Sequence, residues 1–158
     1  MPPEVITGVL LDGQPVAMPL EKIVWRPSAY AVIFNAAGQL LVLDNIKTHK
    51  YDLPGGGIEI WERLEEALQR EVWEETGLEV DLKALVHVED SFFVTPSGKH
   101  WHTLKVFYRA EVVGGHLRNA ILEDEWSVNP HWINLTDCEP DHLGDGSNWR
   151  ALQKALDK

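Results

Sequence analysis

The sequence predicts a mixed α/β or α+β chain, on three observations. A segment without glycine or proline runs from Glu62 to Thr76 in good helix formers, strand-like apolar runs lie on both sides of it, and an amphipathic segment closes the chain. With 158 residues, 44% hydrophobic and 25% charged, the composition is that of one globular domain over residues 1–158 that needs no disulfide or metal staple.

The elements follow in order. Residues 5–11 and 14–18 flank Asp12-Gly13, a hairpin signal. Residues 29–35 (AYAVIFN) and 39–45 (QLLVLDN) flank Ala36-Ala37-Gly38, a second expected hairpin whose continuous apolar runs suit strands covered on both faces. The turn-rich stretch 46–60, with Pro54 and three successive glycines, is a loop or short strand leading into the helix, and Gly77 stands where a helix stops. Residues 79–94 and 100–113 form a long hairpin around Pro96 and Gly98. A short strand ends the stretch 119–135, where Pro130 argues against a regular ladder before it. A second helix starts at Ser147 as its cap and buries Trp149, Leu152 and Leu156.

Composition also narrows function. The net charge of −11 opposes binding of a nucleic-acid polymer or an anionic membrane, and no block of lysine and arginine reverses it locally. The N-terminal stretch lacks a basic leader and is interrupted at Asp12, so it reads as neither signal peptide nor membrane span, and a cytoplasmic location is expected. Cys138 is the only cysteine, which suits a reducing compartment and a bystander thiol.

The segment Gly55–Gly77 carries seven glutamates. At about 100° per residue, Leu64, Ala67, Leu68 and Val72 make one apolar stripe. Glu71 and Glu75 fall inside it, Glu74 borders it, and Glu62, Glu65, Glu66 and Trp73 point to the flank. An ordinary acidic helix would turn its carboxylates to water. Like charges four residues apart repel, and desolvating them costs far more unless a cation answers. Arg70 can pair with one, Glu74 at i+4. A divalent cation is the simplest compensation for the rest, and carboxylates with a backbone carbonyl make an oxygen site suited to Mg²⁺ or Mn²⁺ rather than zinc. The glycines at 55–57 can bring backbone close to such an ion or its ligand.

Gly56, Glu62, Arg70, Glu71, Val72, Glu74, Glu75, Gly77 and Leu78 fill every fixed position of the pattern G-x5-E-x7-R-E-U-x-E-E-x-G-U, with U a bulky apolar residue. In this the chain resembles the Nudix hydrolases. The resemblance implies an α/β/α sandwich with a mixed sheet. It also implies Mg²⁺- or Mn²⁺-dependent hydrolysis of a diphosphate linkage in a small nucleotide, either a nucleoside triphosphate or a nucleoside diphosphate derivative; ADP-ribose or a nucleotide sugar is an alternative, and a non-catalytic nucleotide-binding module another. Carried across, Glu71, Glu74 and Glu75 would hold the metal with the Gly55 carbonyl, Arg70 would orient the carboxylates, and Glu62 would make a weaker contact. The general base would be Glu71 or a loop carboxylate, with Glu125 favoured among Glu123, Asp124 and Glu125.

Three positions depart from the family. Trp61 stands where glycine is common, residues 40–45 lack an arginine that commonly reaches substrate phosphates, and Pro96 lies near but not at the spacing of ADP-ribose hydrolases. Arg26, Lys47 and Lys50 are the candidate substitutes for that arginine. Of the seven tryptophans, Trp132, Trp149 and Trp73 suit packing, whereas Trp101 and His102 are candidates for ligand contact, although alternation along a strand would turn one of them inward anyway. The N-terminal hairpin could pack against a second copy of the chain.

Overall fold

The computed structural model describes residues 1–122 and 126–157. Two strands, β1 (Val5–Val9) and β2 (Pro15–Pro19), pair antiparallel around Leu10–Gln14, where Gly13 takes a φ of 84°. Three long strands make the body of the sheet: β3 (Ile23–Ile33), β7 (Leu78–Val94) and β8 (His100–Gly115). β7 and β8 form the expected long hairpin, with Gly98 at a φ of 85° in its turn. β8 then pairs parallel with β3 over the whole length of β3, from Ile23↔His100 to Ile33↔Ala110. With β6 (Gly55–Gly57) at the far edge, the spatial order is β2-β1-β7-β8-β3-β6.

A smaller sheet holds β5 (Tyr51–Asp52), β4 (Leu40–Asn45) and β9 (Ser127–Ile133) in the order β5-β4-β9. This corrects the second expected hairpin. Asn35 and Gln39 close a turn between β3 and β4, but only Phe34 and Leu40 bridge, and the two strands then part into different sheets. The reason is competition for an edge. β6 takes the free side of β3, with Ala29 opposite Gly56, so β4 turns to β9 instead. Burial of both faces holds as expected, since Leu40 to Leu43 are fully enclosed. β9 also runs through Pro130 rather than starting after it; it is an edge strand, and an irregularity in its register with β4 together with a φ of 54° at Asn129 accommodates the proline.

Two helices cover opposite faces. α1 (Leu64–Thr76) packs Leu68 and Val72 onto Ala29, Ala31, Ile33 and Leu41, and α2 (Gly146–Leu156) packs Ala151, Leu152 and Ala155 onto Val32, Leu40, Val42 and Phe107. The alternation of β3 and β4 between the two clusters makes a helix–sheet–helix sandwich. α1 ends as expected at Gly77, whose φ of 78° suits glycine and whose N–H closes on the Trp73 carbonyl. α2 differs in detail. Its cap is Asp145, whose carboxylate accepts the Ser147 N–H, and Ser147 lies inside the first turn; Leu156 is exposed while the alanines make the close contact.

Candidate active site

The strand of three glycines is tied to α1 at both ends. The Gly55 N–H donates to Glu75 Oε2 at 3.1 Å, and Arg70 Nη2 donates to the Gly57 carbonyl at 3.3 Å. Between them, a Cβ on Gly56 would fall 2.7 to 2.9 Å from the carboxyl carbon and both oxygens of Glu71. Only a glycine there leaves room for that carboxylate to lie against the sheet. Glu75 is only 4% exposed, as its place on the apolar stripe predicts.

Arg70 is the hub of the cluster. Its Nε and Nη2 grip Glu62 at 2.6 and 2.8 Å, and its Nη1 meets both Glu71 Oε1 at 3.0 Å and Glu74 Oε2 at 3.1 Å. The arginine thus answers three carboxylates, not Glu74 alone. Glu62 is correspondingly turned inward with 9% of its side chain exposed, against the expectation that it points to the flank. The local cause is a tight turn: Glu62 N–H donates to the Glu59 carbonyl, and the Glu59 N–H donates back to Glu62 Oε1, which fixes the carboxylate over Arg70 and leaves Ile60 and Trp61 projecting into solvent. The bond to Arg70 first, and then that backbone N–H, hold the Glu62 carboxyl below its ordinary pKa, and the Arg70 guanidinium is held correspondingly more firmly charged.

The donor set tests whether a divalent ion fits. Glu71, Glu74 and Glu75 supply only hard oxygens, on one face of one helix beside the backbone of Gly55, and the Gly56 cradle holds one of them in place. Among the described residues no three carboxylate, imidazole or thiol groups converge as they stand. Arg70 explains this, since its Nη1 sits between Glu71 and Glu74 where their charges would otherwise meet. The residue chemistry suits Mg²⁺ or Mn²⁺, with Arg70 as the competing counter-ion.

The remaining candidates separate. Arg26 lies beside the glycine strand, on the side opposite Glu71: its guanidinium is 4.1 Å from the centroid of the Trp101 ring and rests on Gly57. His102 points to the sheet face opposite Trp101 and Arg26, stacked on Phe92 at 4.1 Å and hydrogen-bonded to Asp90 at 2.7 Å. Lys47 and Lys50 belong to the turn after β4, where the Lys50 carbonyl accepts the Asn45 N–H and Lys47 lies 6.0 Å from the Trp126 ring. Glu123, Asp124 and Glu125 lie outside the described residues. Sequence reasoning missed Lys105, which pairs with Asp145 at the start of α2 and stands opposite Ser28, itself opposite Gly57. Its alternation with Trp101 and Thr103 along one strand was the available signal.

The site thus joins a glycine strand to a glutamate-rich helix through one arginine, within a helix–sheet–helix sandwich. The NUDIX domain pattern matches residues 24–154, and the chain belongs to that family. A Nudix hydrolase from Nitrosomonas europaea shares the fold with a TM-score of 0.70 at 19% identity, over 85% of this chain and 90% of that one. The MutT protein from Methanosarcina mazei Go1 superposes with a TM-score of 0.63 at 26% identity, over 87% and 97%. In sequence, the chain is 30% identical to an 8-oxo-dGDP phosphatase of Danio rerio over 82% of this chain and 39% of that protein. It is 40% identical to an ADP-ribose pyrophosphatase of Methanocaldococcus jannaschii over 43% of this chain and 38% of that protein. The chain therefore spans about two-fifths of the length of these curated relatives. Among the described residues no helix is long and apolar enough to cross a membrane.

Proposed function

We propose that this chain hydrolyses a diphosphate linkage in a small nucleotide, a nucleoside triphosphate or a related nucleoside diphosphate derivative, with Mg²⁺ or Mn²⁺. The observation that carries the reading is the Arg70 hub, which gathers Glu62, Glu71 and Glu74 beside a side-chain-free strand. A solvated acidic helix would have no reason to build it. Glu71, Glu74, Glu75 and the Gly55 carbonyl would hold the ion, which when bound neutralises phosphate charge and lowers the pKa of water. Arg70 keeps the carboxylates in register. Water adds to one phosphorus as the bridging P–O bond breaks; Glu71 or Glu125 takes the proton of the water, and the departing phosphate leaves with the bond pair.

The names of the two curated relatives place nucleoside diphosphates and ADP-ribose on the test panel. A phosphate-release screen over nucleoside di- and triphosphates, nucleotide sugars and ADP-ribose, with product identification, decides the substrate. ADP-ribose or a nucleotide sugar is the second reading. The hairpin β1–β2 favours it: it lengthens the sheet and exposes Val5 and Val9, a surface a second copy of the chain could cover. Sedimentation at micromolar concentration tests that association. Tight nucleotide binding with no turnover anywhere on the panel would instead make the chain a binding module.

A further inference from the structure

Arg26 is a half-buried cation with an unusual set of neighbours. It has five N–H donors, yet among the described residues it makes no hydrogen bond and no ion pair; what holds it is the face of Trp101 at 4.1 Å. Stacking fixes the plane of a guanidinium and leaves its edges, where the donors are, open to a ligand. The other face of the Arg26 guanidinium lies against Gly57, where a Cβ would fall 2.5 Å from Nη2, 2.6 Å from Cζ and 3.0 Å from Nη1, so the group is held flat between the ring and the glycine with its edges left free.

The position explains what lies next to the guanidinium. Successive residues of a strand present opposite sides, so Glu71 lies against one side of β6 at Gly56 and Arg26 against the other at Gly57. A strand of three glycines offers no side chain between the two. The neighbouring strand β4, LLVLDN, contains no lysine or arginine and supplies no cation.

We propose that Arg26 binds a phosphate of a substrate lying across the glycine strand, and that Trp101 is a positioning residue that holds Arg26 flat for this contact rather than a platform for the base. The inference rests on the hydrolase reading, in that a diphosphate is the ligand, but it is tested apart from turnover. The ring face is occupied by the guanidinium, so the contribution of Trp101 passes through Arg26. It follows that recognition at this point is of phosphate and is indifferent to the base.

The test is calorimetric binding of inorganic pyrophosphate and of α,β-methylene-ADP, whose bridge resists cleavage, with Mg²⁺ saturating. Arg26→Ala is expected to weaken both probes about tenfold and equally. Trp101→Leu should weaken both severalfold, Trp101→Phe should restore most of the loss, and Trp101→Leu should add less than about twofold once Arg26 is alanine. In kinetics with whichever substrate turns over, the Arg26 change should raise KM with little effect on kcat. The proposal is overturned if Arg26→Ala leaves pyrophosphate affinity within twofold, if wild-type protein binds neither probe, or if Trp101→Leu weakens the nucleotide while sparing pyrophosphate. Binding that depends on Arg26 without any turnover would sink the hydrolase reading and leave this one standing; turnover indifferent to Arg26 would do the reverse. Circular dichroism of each variant separates loss of the contact from loss of the fold, and Trp101→Phe keeps an aromatic core neighbour should the leucine variant fail to fold.

Discussion

At the scale of single residues, the site is a problem in placing negative charge. Glu75 is enclosed, accepts a backbone N–H from Gly55 and keeps that acceptor if replaced by glutamine. Glu75→Gln should therefore melt within a few degrees of wild type yet lose at least about a hundredfold in turnover, as expected when a charge needed at a metal is removed without changing shape; near-normal turnover would remove Glu75 from the site. Glu62 gives a stability prediction with a definite sign. Its folded pKa is depressed by Arg70, so its contribution is fully present above the unfolded value, near 4.3, and disappears as pH falls through the lower folded value. Urea unfolding should show wild type more stable than Glu62→Gln at pH 7, with the two converging below about pH 4. A gap that stayed constant down to pH 3 would mean that the Arg70 pair contributes nothing through ionisation. The inward glutamates could be read from helical spacing alone, whereas the reach of Arg70 to three partners could not. Glu62 enters the cluster through the Glu59–Glu62 turn, which is loop geometry that no periodicity encodes.

At the scale of elements, the decisive piece is the shortest, β6. Its glycines take the edge of β3, displace β4 into a second sheet and admit Glu71 to the surface so bared. Gly56→Ala tests this linkage. The added methyl must displace the Glu71 carboxylate, since strand backbone cannot retreat from a paired edge, so activity should drop at least tenfold and stability by about 1 to 3 kcal/mol. Wild-type activity in that variant, measured beside a thermal melt, would show that Glu71 need not lie in the cradle. The helix and the β1–β2 and β7–β8 hairpins were legible because each is specified locally, by caps, turns and alternation. The parting of β3 from β4 was not legible. It depends on β8, whose partners lie 77 residues onward in sequence, pairing parallel with β3, and on β6 taking the other side. Local pattern cannot rank such partners. The same limit hid the cap of α2, where Asp145 also answers Lys105 from the sheet.

At the scale of the whole molecule, strands covered on both faces were announced by continuous apolar runs, while the sandwich itself was what the resemblance to the Nudix hydrolases implied, and two apolar clusters on opposite faces now fill it. The single cysteine fits the same frame: Cys138 is buried in the α2 cluster, and burial first, with Glu139 beside it, pushes its thiol pKa up and away from reactivity. The charge has a further consequence. A chain of net −11 repels a polyphosphate at a distance, and the ions that would make the site attractive act only close by. Monovalent salt screens the far field more than the contact, since the Debye length falls from about 30 Å at 0.01 M to about 10 Å at 0.1 M. With divalent metal held saturating, kcat/KM for the substrate found on the panel should therefore stay level or rise as sodium chloride goes from 10 to 100 mM, the opposite of the steep fall seen when a basic surface gathers an anion. Arg26→Ala sharpens the comparison, because it removes a near attraction and leaves the far repulsion, so its rate should rise more with salt than that of wild type. A steep fall in both proteins would mean that cations at the mouth outweigh the acidic body, and that the helix carboxylates are not the feature around which the substrate is gathered.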